Sequence, residues 1–158
     1  MTIFLWLVLH KQFLTWDNLL KRGFIGPSQC ILCEEQEETM DHLLDQCSFS
    51  SELWDRIASI CKRIDCCRGN ISKTIKHWHN HPYQNPILNR IWQLILGFLI
   101  WNIWKERNLR IFEGRVNFVE RVWASYKQHI KETTMLNRWY EQDLQAIPTE
   151  KKSSWKIG

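Results

Sequence analysis

Long apolar runs are missing from this chain of 158 residues. Its most hydrophobic stretches, residues 3–9 and 91–104, are too short to span a bilayer, and the second is interrupted by Gln93 and Asn102. No basic residue precedes the first stretch and no small-residue cleavage motif follows it, so it does not read as a secretory leader. An intracellular protein is expected, nuclear or cytoplasmic, with no membrane partner. In a reducing compartment clustered cysteines bind metal more often than they pair as disulfides. Several enzyme signatures are also absent: no Gly-rich phosphate loop, no Gly-x-Ser-x-Gly elbow and no His-Glu-x-x-His. Internal repeats are lacking and strand signals are few.

The positive features are unevenly spread. The net charge of +4 conceals an acidic segment over 34–55, where Glu34, Glu35, Glu37, Glu38, Asp41, Asp45, Glu52 and Asp55 meet no Lys or Arg. From Arg56 onward eighteen basic side chains face eight acidic ones. A basic half attracts phosphate and an acidic segment repels it, so any nucleic-acid contact belongs to the second half. Ten tryptophans are present. Trp6, Trp16, Trp54, Trp92, Trp101, Trp104 and Trp123 fall in apolar, helix-like stretches and read first as core anchors. The competing reading is an exposed face for a partner or for base stacking.

Helical periodicity dominates, and the fold expected is mostly α. Residues 4–14, apolar almost all round, predict a buried helix. Thr15 is placed to cap a short helix over 16–22 with Leu19 and Leu20 inward. Gly23, Gly26 and Pro27 then make a loop that delivers Cys30. Thr39 is a cap for a short helix carrying His42, Leu43 and Leu44, and a further helix runs from about 50 to 63 with Leu53, Trp54, Ile57, Ile60 and Cys61 on one face. Over 65–86 the periodicity fades, which predicts an irregular linker. A long helix over 87–113 is expected to bury Ile91, Leu94, Ile95, Phe98, Trp101 and Ile103. Another follows, with Phe118, Val119, Val122, Trp123, Tyr126 and Ile130 at helical spacing. This divides the chain into a metal-binding domain (1–64), a linker (65–86), a Trp-rich helical extension (87–146) and a mobile tail (147–158).

The sharpest pattern is Cys30-x2-Cys33, eight residues, His42, four residues, Cys47. A Cys-x-x-Cys turn points two thiolates at one ion, and a Cys3His set closes the tetrahedral shell of a structural Zn²⁺. Five residues turn an ideal α-helix by about 500°, leaving Cys47 roughly 140° away from His42, so the helix must end or unwind between them. Three thiolates, a neutral imidazole and Zn²⁺ sum to a negative centre that repels phosphate. The alternative is four unrelated residues, with Cys30 and Cys33 free or redox active. A thioredoxin-like motif requires a strand-to-helix setting, which Gly26-Pro27-Ser28-Gln29 does not provide.

Two strings of residues carry a family resemblance. One runs from Phe4-Leu-Trp-Leu through His10-Lys-Gln-Phe-Leu-Thr15-Trp-Asp-Asn-Leu-Leu20-Lys-Arg-Gly23 to Cys30-Ile-Leu-Cys33, then Glu38-Thr-Met-Asp-His42-Leu-Leu-Asp-Gln-Cys47 and Trp54. The other is Ile100-Trp-Asn-Ile-Trp-Lys-Glu-Arg-Asn-Leu-Arg-Ile-Phe112. The first resembles the zinc-binding domain downstream of the reverse transcriptase in plant LINE-type (non-LTR) retrotransposons, over roughly residues 1–60. The second resembles the segment that follows it in those elements. The resemblance implies one structural Zn²⁺ on Cys30, Cys33, His42 and Cys47, and an accessory role beside a polymerase with retroelement RNA or DNA, or the reverse transcriptase polypeptide, as partner. It also implies a piece of a larger polyprotein. The polymerase itself is not implied, because no adjacent Asp-Asp pair is present to hold two metal ions.

No catalytic residue is assigned. Lys105, Arg107, Arg110 and Arg115 form the basic strip best suited to nucleic acid, with Arg107 and Arg110 sharing a helix face. The bland alternative is a solvated face paired with Glu106 and Glu113. Cys61, Cys66 and Cys67 with His77, His79 and His81 compose the other metal-capable set, discounted because adjacent cysteines rarely both ligate one ion. Two functions therefore stay open: a zinc-stabilised nucleic-acid-binding accessory domain, or a module that packs on another protein.

Overall fold

The computed structural model describes residues 2–61 and 69–146. Cys66, Cys67 and the tail at 147–158 lie outside the described residues. The first helix, α1 (Thr2–Leu9), is shorter than its apolar run suggests. It stops where Lys11 adopts a left-handed φ of 54° and its amide bonds to the Val8 carbonyl at 3.1 Å. Val8 and Phe13 are buried, but Trp6 is half exposed and stacks on His10. The helix is thus covered on one side, not all round. In α2 (Trp16–Lys21) the buried side chain is Asn18, while Leu20 faces solvent, contrary to the inward placement expected. The Asn18 amide donates to the carbonyls of Lys11 and Phe13 at 3.0 and 2.8 Å. Carbonyls buried at a turn demand a donor, and no leucine supplies one.

Helix α3 (Ser48–Cys61) buries Leu53, Trp54 and Ile57, yet leaves Ile60 exposed at the far end of the predicted face. Residues 71–80, expected to be irregular, instead form α4 (Ile71–Asn80). Asn70 caps it by accepting the Lys73 amide at 3.0 Å. The apolar positions Ile71, Ile75 and Trp78 are all buried, at spacings of four and three that intervening Lys and His residues disguise. Asp41 and Asp45 accept the amides of Ile71 and Gly69 at its start, so part of the acidic segment is spent inside the fold.

Two 28-residue helices complete the chain, α5 (Pro86–Glu113) and α6 (Val119–Ala146). Pro86 suits the first helical position, where no amide is needed. Gly114, with φ of +61°, ends α5 in a conformation that glycine adopts freely. The stripe that α5 buries is Trp92, Leu96, Leu99, Ile100 and Ile103, rotated from the one predicted, and Trp101 keeps a substantial exposed edge. Against it α6 lays Val122 and Tyr126, while Phe118, just before α6, is exposed.

Tryptophan holds the centre. The Trp78 and Trp92 rings stack at 3.6 Å between centroids, 6° from parallel. Each indole N–H donates to the other residue's carbonyl, at 2.9 and 3.1 Å. Trp54 donates to the Leu44 carbonyl at 2.8 Å. Buried side chains from Val8 to Tyr126 form one apolar cluster shared by helices from both halves. Among the described residues the one extended pairing is an isolated antiparallel bridge between Gln29 and Glu37, and no helix is long and apolar enough to cross a membrane.

Candidate metal centre

Residues 28–38 fold back on themselves before any ligand chemistry is considered. The Glu38 amide donates to the Ser28 carbonyl at 2.6 Å and the Cys30 amide to the Gln36 carbonyl at 2.8 Å. Between these two bonds the chain makes the Cys30–Cys33 turn, closed by the Glu34 amide on the Cys30 carbonyl at 2.8 Å. Glu34 takes a left-handed φ of 59°, a conformation disfavoured for a residue with a Cβ and held here by the turn.

His42 and Cys47 arrive by a different device. Thr39 caps the next helical segment as expected, its hydroxyl accepting the His42 amide at 3.0 Å and its carbonyl the Leu43 amide at 2.8 Å. The chain then widens into a π-helical turn over His42–Gln46. The Cys47 amide bonds back to the His42 carbonyl at 2.7 Å, five residues behind. An i→i+5 bond stacks residue 47 above residue 42, where an α-helix would have turned it away. The unwinding demanded by the spacing is therefore a π turn, and α3 starts immediately after it. Its first turn aims the Ser50 amide at the Cys47 sulfur.

The four ligand atoms of Cys30, Cys33, His42 and Cys47 all lie within 4.8 Å of one another. The Cys30 and Cys47 sulfurs are 3.9 Å apart, and the Cys33 sulfur is 3.3 Å from His42 Nε2. At Zn–S distances near 2.3 Å a tetrahedral edge between sulfurs measures about 3.8 Å, close to the Cys30–Cys47 separation, so the four atoms are near enough to share one ion. Cys30, His42 and Cys47 are buried and Cys33 is half-buried. His42 Nδ1 is buried and has no hydrogen-bond partner among the described residues; packing and the Cys33 contact at Nε2 orient the ring. The Cys30 thiol is drawn down to about 5, chiefly because Cys47 donates to its thiolate and secondarily through the Cys33 and Leu32 amides. The same bond and its burial push Cys47 upward. Cys30 and Cys47 could both hold a divalent ion as thiolates, which would remove that competition.

The basic strip divides in two. Arg107 and Arg110, expected to face nucleic acid, are interior. The Arg107 guanidinium makes a two-pronged contact with Glu38, at 2.7 and 3.2 Å, and both side chains are more than nine-tenths buried. Glu38 also accepts the Trp16 amide at 3.0 Å. Arg110 pairs with Glu106 at 2.9 Å and donates to the carbonyls of Ile31 and Leu32, the two residues between Cys30 and Cys33, at 3.1 and 3.0 Å. Neither is a solvated pair, because a buried guanidinium needs a partner for its charge and its N–H groups. Lys105 and Arg115 do face solvent. They line a cavity of about 330 Å³ between α5 and α6 together with Arg121, Asn117, Glu106 and Glu113, and Arg115 pairs with Glu113 at 3.2 Å in solvent. Arg121 escaped the sequence reading since it lies on the next helix. Glu106 and Arg110 are legible as an i,i+4 pair; Glu38 with Arg107, 69 residues apart, is not.

Comparison with known proteins agrees with this geometry. Residues 1–54 match the family described as zinc-binding in reverse transcriptase. The chain is also similar to a putative ribonuclease H protein of Arabidopsis thaliana, 28% identical over 136 aligned positions that cover 80% of this chain and 21% of that protein. The chain thus spans about a fifth of the length of the curated relative it matches. No solved structure matches.

Proposed function

We propose that the chain is a zinc-binding, nucleic-acid-binding accessory module of LINE-type retroelement origin, with no polymerase centre of its own. The observation that carries the reading is the four-atom cluster on Cys30, Cys33, His42 and Cys47, inside the segment that matches a zinc-binding family. Three thiolates and one imidazole fill a tetrahedral shell and leave no position for water, so a zinc ion bound there fixes structure. The chain's own part is to bring a rigid Cys-x-x-Cys turn and a π turn to one point. Cys30, Cys33, His42 and Cys47 are the proposed ligands. The ribonuclease named for the relative is not carried over, since this chain spans 21% of that protein.

The nucleic-acid part rests on charge. Lys105, Arg115 and Arg121 line one groove of the α5–α6 face and outnumber its two carboxylates, Glu106, which Arg110 holds, and Glu113, which Arg115 pairs. Phosphodiester contacts release counterions, so binding through this groove falls steeply with salt. Native mass spectrometry with and without a chelator tests the metal: one retained zinc is expected. Filter binding of RNA and DNA oligonucleotides across a salt series tests the groove.

A second reading has its own observation. Ile111 and Phe112 are exposed and, with Trp16, Leu19 and Ile31, line a mostly apolar cavity of about 280 Å³. Exposed aromatic and aliphatic side chains next to a hollow suit a protein partner, such as the reverse transcriptase polypeptide. No affinity for oligonucleotides even at low salt selects this reading over the first.

A further inference from the structure

Arg110 stands between the metal turn and the corner joining α5 to α6. Guanidinium carries five N–H donors in a fixed plane, and this one uses four. Nη1 donates to both carbonyls inside the Cys30–Cys33 turn, Ile31 and Leu32. Nη2 donates to the Asn117 carbonyl at 3.2 Å and Nε to Glu106 at 2.9 Å. Glu106, fully buried, then accepts the backbone and side-chain amides of Asn117 at 2.8 and 2.7 Å. Asn117 and Arg115 belong to the five-residue connection between the helices, and both line the basic groove. The turn that carries two proposed metal ligands and the loop that shapes the groove are therefore fastened to the same side chain.

We infer that Arg110 is a positioning residue, with Glu106 as its counterpart, which makes the order of the α5–α6 corner depend on the metal turn. The Ile31 and Leu32 carbonyls point at Arg110 when the Cys30–Cys33 turn is closed. A turn that opens withdraws two acceptors from a largely enclosed cation. The cheapest response is for Arg110 to leave, and Glu106 and Asn117 lose a partner with it. Coupling between binding sites is reciprocal: if metal orders the corner, disrupting Arg110 weakens metal binding by the matching factor. Lysine cannot substitute, since one ammonium does not reach four acceptors in a plane. The consequence for the groove, metal-dependent affinity for a phosphate backbone, rests on the function proposed above; the coupling itself does not.

The test uses the full chain and hydrogen exchange with and without Zn²⁺, followed at residues 112–119 and, as an internal control, around Trp78 and Trp92. Metal is expected to slow exchange at the corner at least tenfold while the tryptophan pair changes far less. In Arg110→Met the corner is expected to lose its metal response. Its affinity for Co²⁺, read from the thiolate charge-transfer band in competition with a chelator, is expected to drop about tenfold. Arg110→Lys, which keeps the charge, is expected to behave like the Met variant, and native exchange around Trp78 and Trp92 in both shows that they fold. Equal response of the tryptophan control, or an Arg110→Lys chain with native metal affinity and native corner protection, overturns the inference. Binding of a labelled oligothymidylate separates the two proposals. A native chain that shows metal-dependent corner protection but ignores the oligonucleotide keeps the coupling and removes the nucleic-acid reading. One that binds the oligonucleotide with a corner indifferent to metal does the reverse.

Discussion

The metal loop at 30–47 and the tryptophan contact between α4 and α5 are held by opposite means. In the loop three cysteines and a histidine crowd one point beside the buried Leu32, Met40, Leu43 and Leu44, the backbone turns through a left-handed Glu34, and one helical turn is widened to π geometry. Little of this is favourable by itself. Support comes from outside, through Arg110 on the turn carbonyls and Arg107 on Glu38. The Trp78–Trp92 contact needs no such help, since two large apolar rings stack face to face and satisfy each other's N–H groups. Apolar area buried with its donors paired is favourable without further help; thiols crowded around one point are stabilised when a cation becomes their shared partner.

Breaking that contrast most severely means removing the ion or a ligand. Cys33→Ser, or a strong chelator, is expected to abolish zinc retention in native mass spectrometry and to unfold the N-terminal half. Structural zinc sites are worth on the order of 10 kcal/mol in small peptides, more than a short loop can replace. Near-ultraviolet circular dichroism from the stacked tryptophans is expected to persist in part; its complete loss would show that the two regions fold as one unit.

The reverse experiment attacks the tryptophan side. Trp78→Ala is expected to cost about 3–5 kcal/mol in urea denaturation while the chain retains its zinc under native conditions. Glu38→Ala bridges the two regions and is expected to cost about the same, because it strands the buried Arg107 charge. The double variant Glu38→Ala with Arg107→Met is expected to recover most of that stability. A double variant no better than the single one would mean that Glu38 acts through the Trp16 amide instead.

A smaller effect sharpens the account of the loop's approach. Gly26 lies flat against the Trp16 ring, and a Cβ there would overlap it. Gly26→Ala is expected to cost about 1–3 kcal/mol through overpacking, read as a lowered melting temperature with one zinc still bound. The mildest changes are on the surface. Lys105→Ala and Arg115→Ala are expected to leave the melting temperature unchanged. Each is expected to lower the salt slope of oligonucleotide binding by about one, the equivalent of one phosphate left unneutralised. Unchanged slopes would take those two side chains out of the groove's proposed role.

Much of this was legible in the residues. Cys30, Cys33, His42 and Cys47 are spaced as ligands, and the demand that the helix give way before Cys47 is met by the π turn. The long helix over α5 was readable to within a residue at its start. Helix α4 is hard to read in the sequence because its three apolar anchors sit among His77, His79, Lys73 and Lys76, so that composition hides the period. The buried stripe of α5 is not legible because residues 94–101 are apolar all round, and hydrophobicity without contrast has no phase.

By itself the sequence determined the donor set, the prevalence of helix and the division into an acidic and a basic half. Those are properties of residue type and near spacing, which bond lengths and helical pitch convert directly into chemistry. Only the tertiary structure decided that Arg107 and Arg110 belong to the interior, while Lys105, Arg115 and Arg121 face the groove. An arginine looks alike in sequence whether it meets solvent or a carboxylate dozens of residues away, and the choice is made by which partner the fold carries within hydrogen-bond reach.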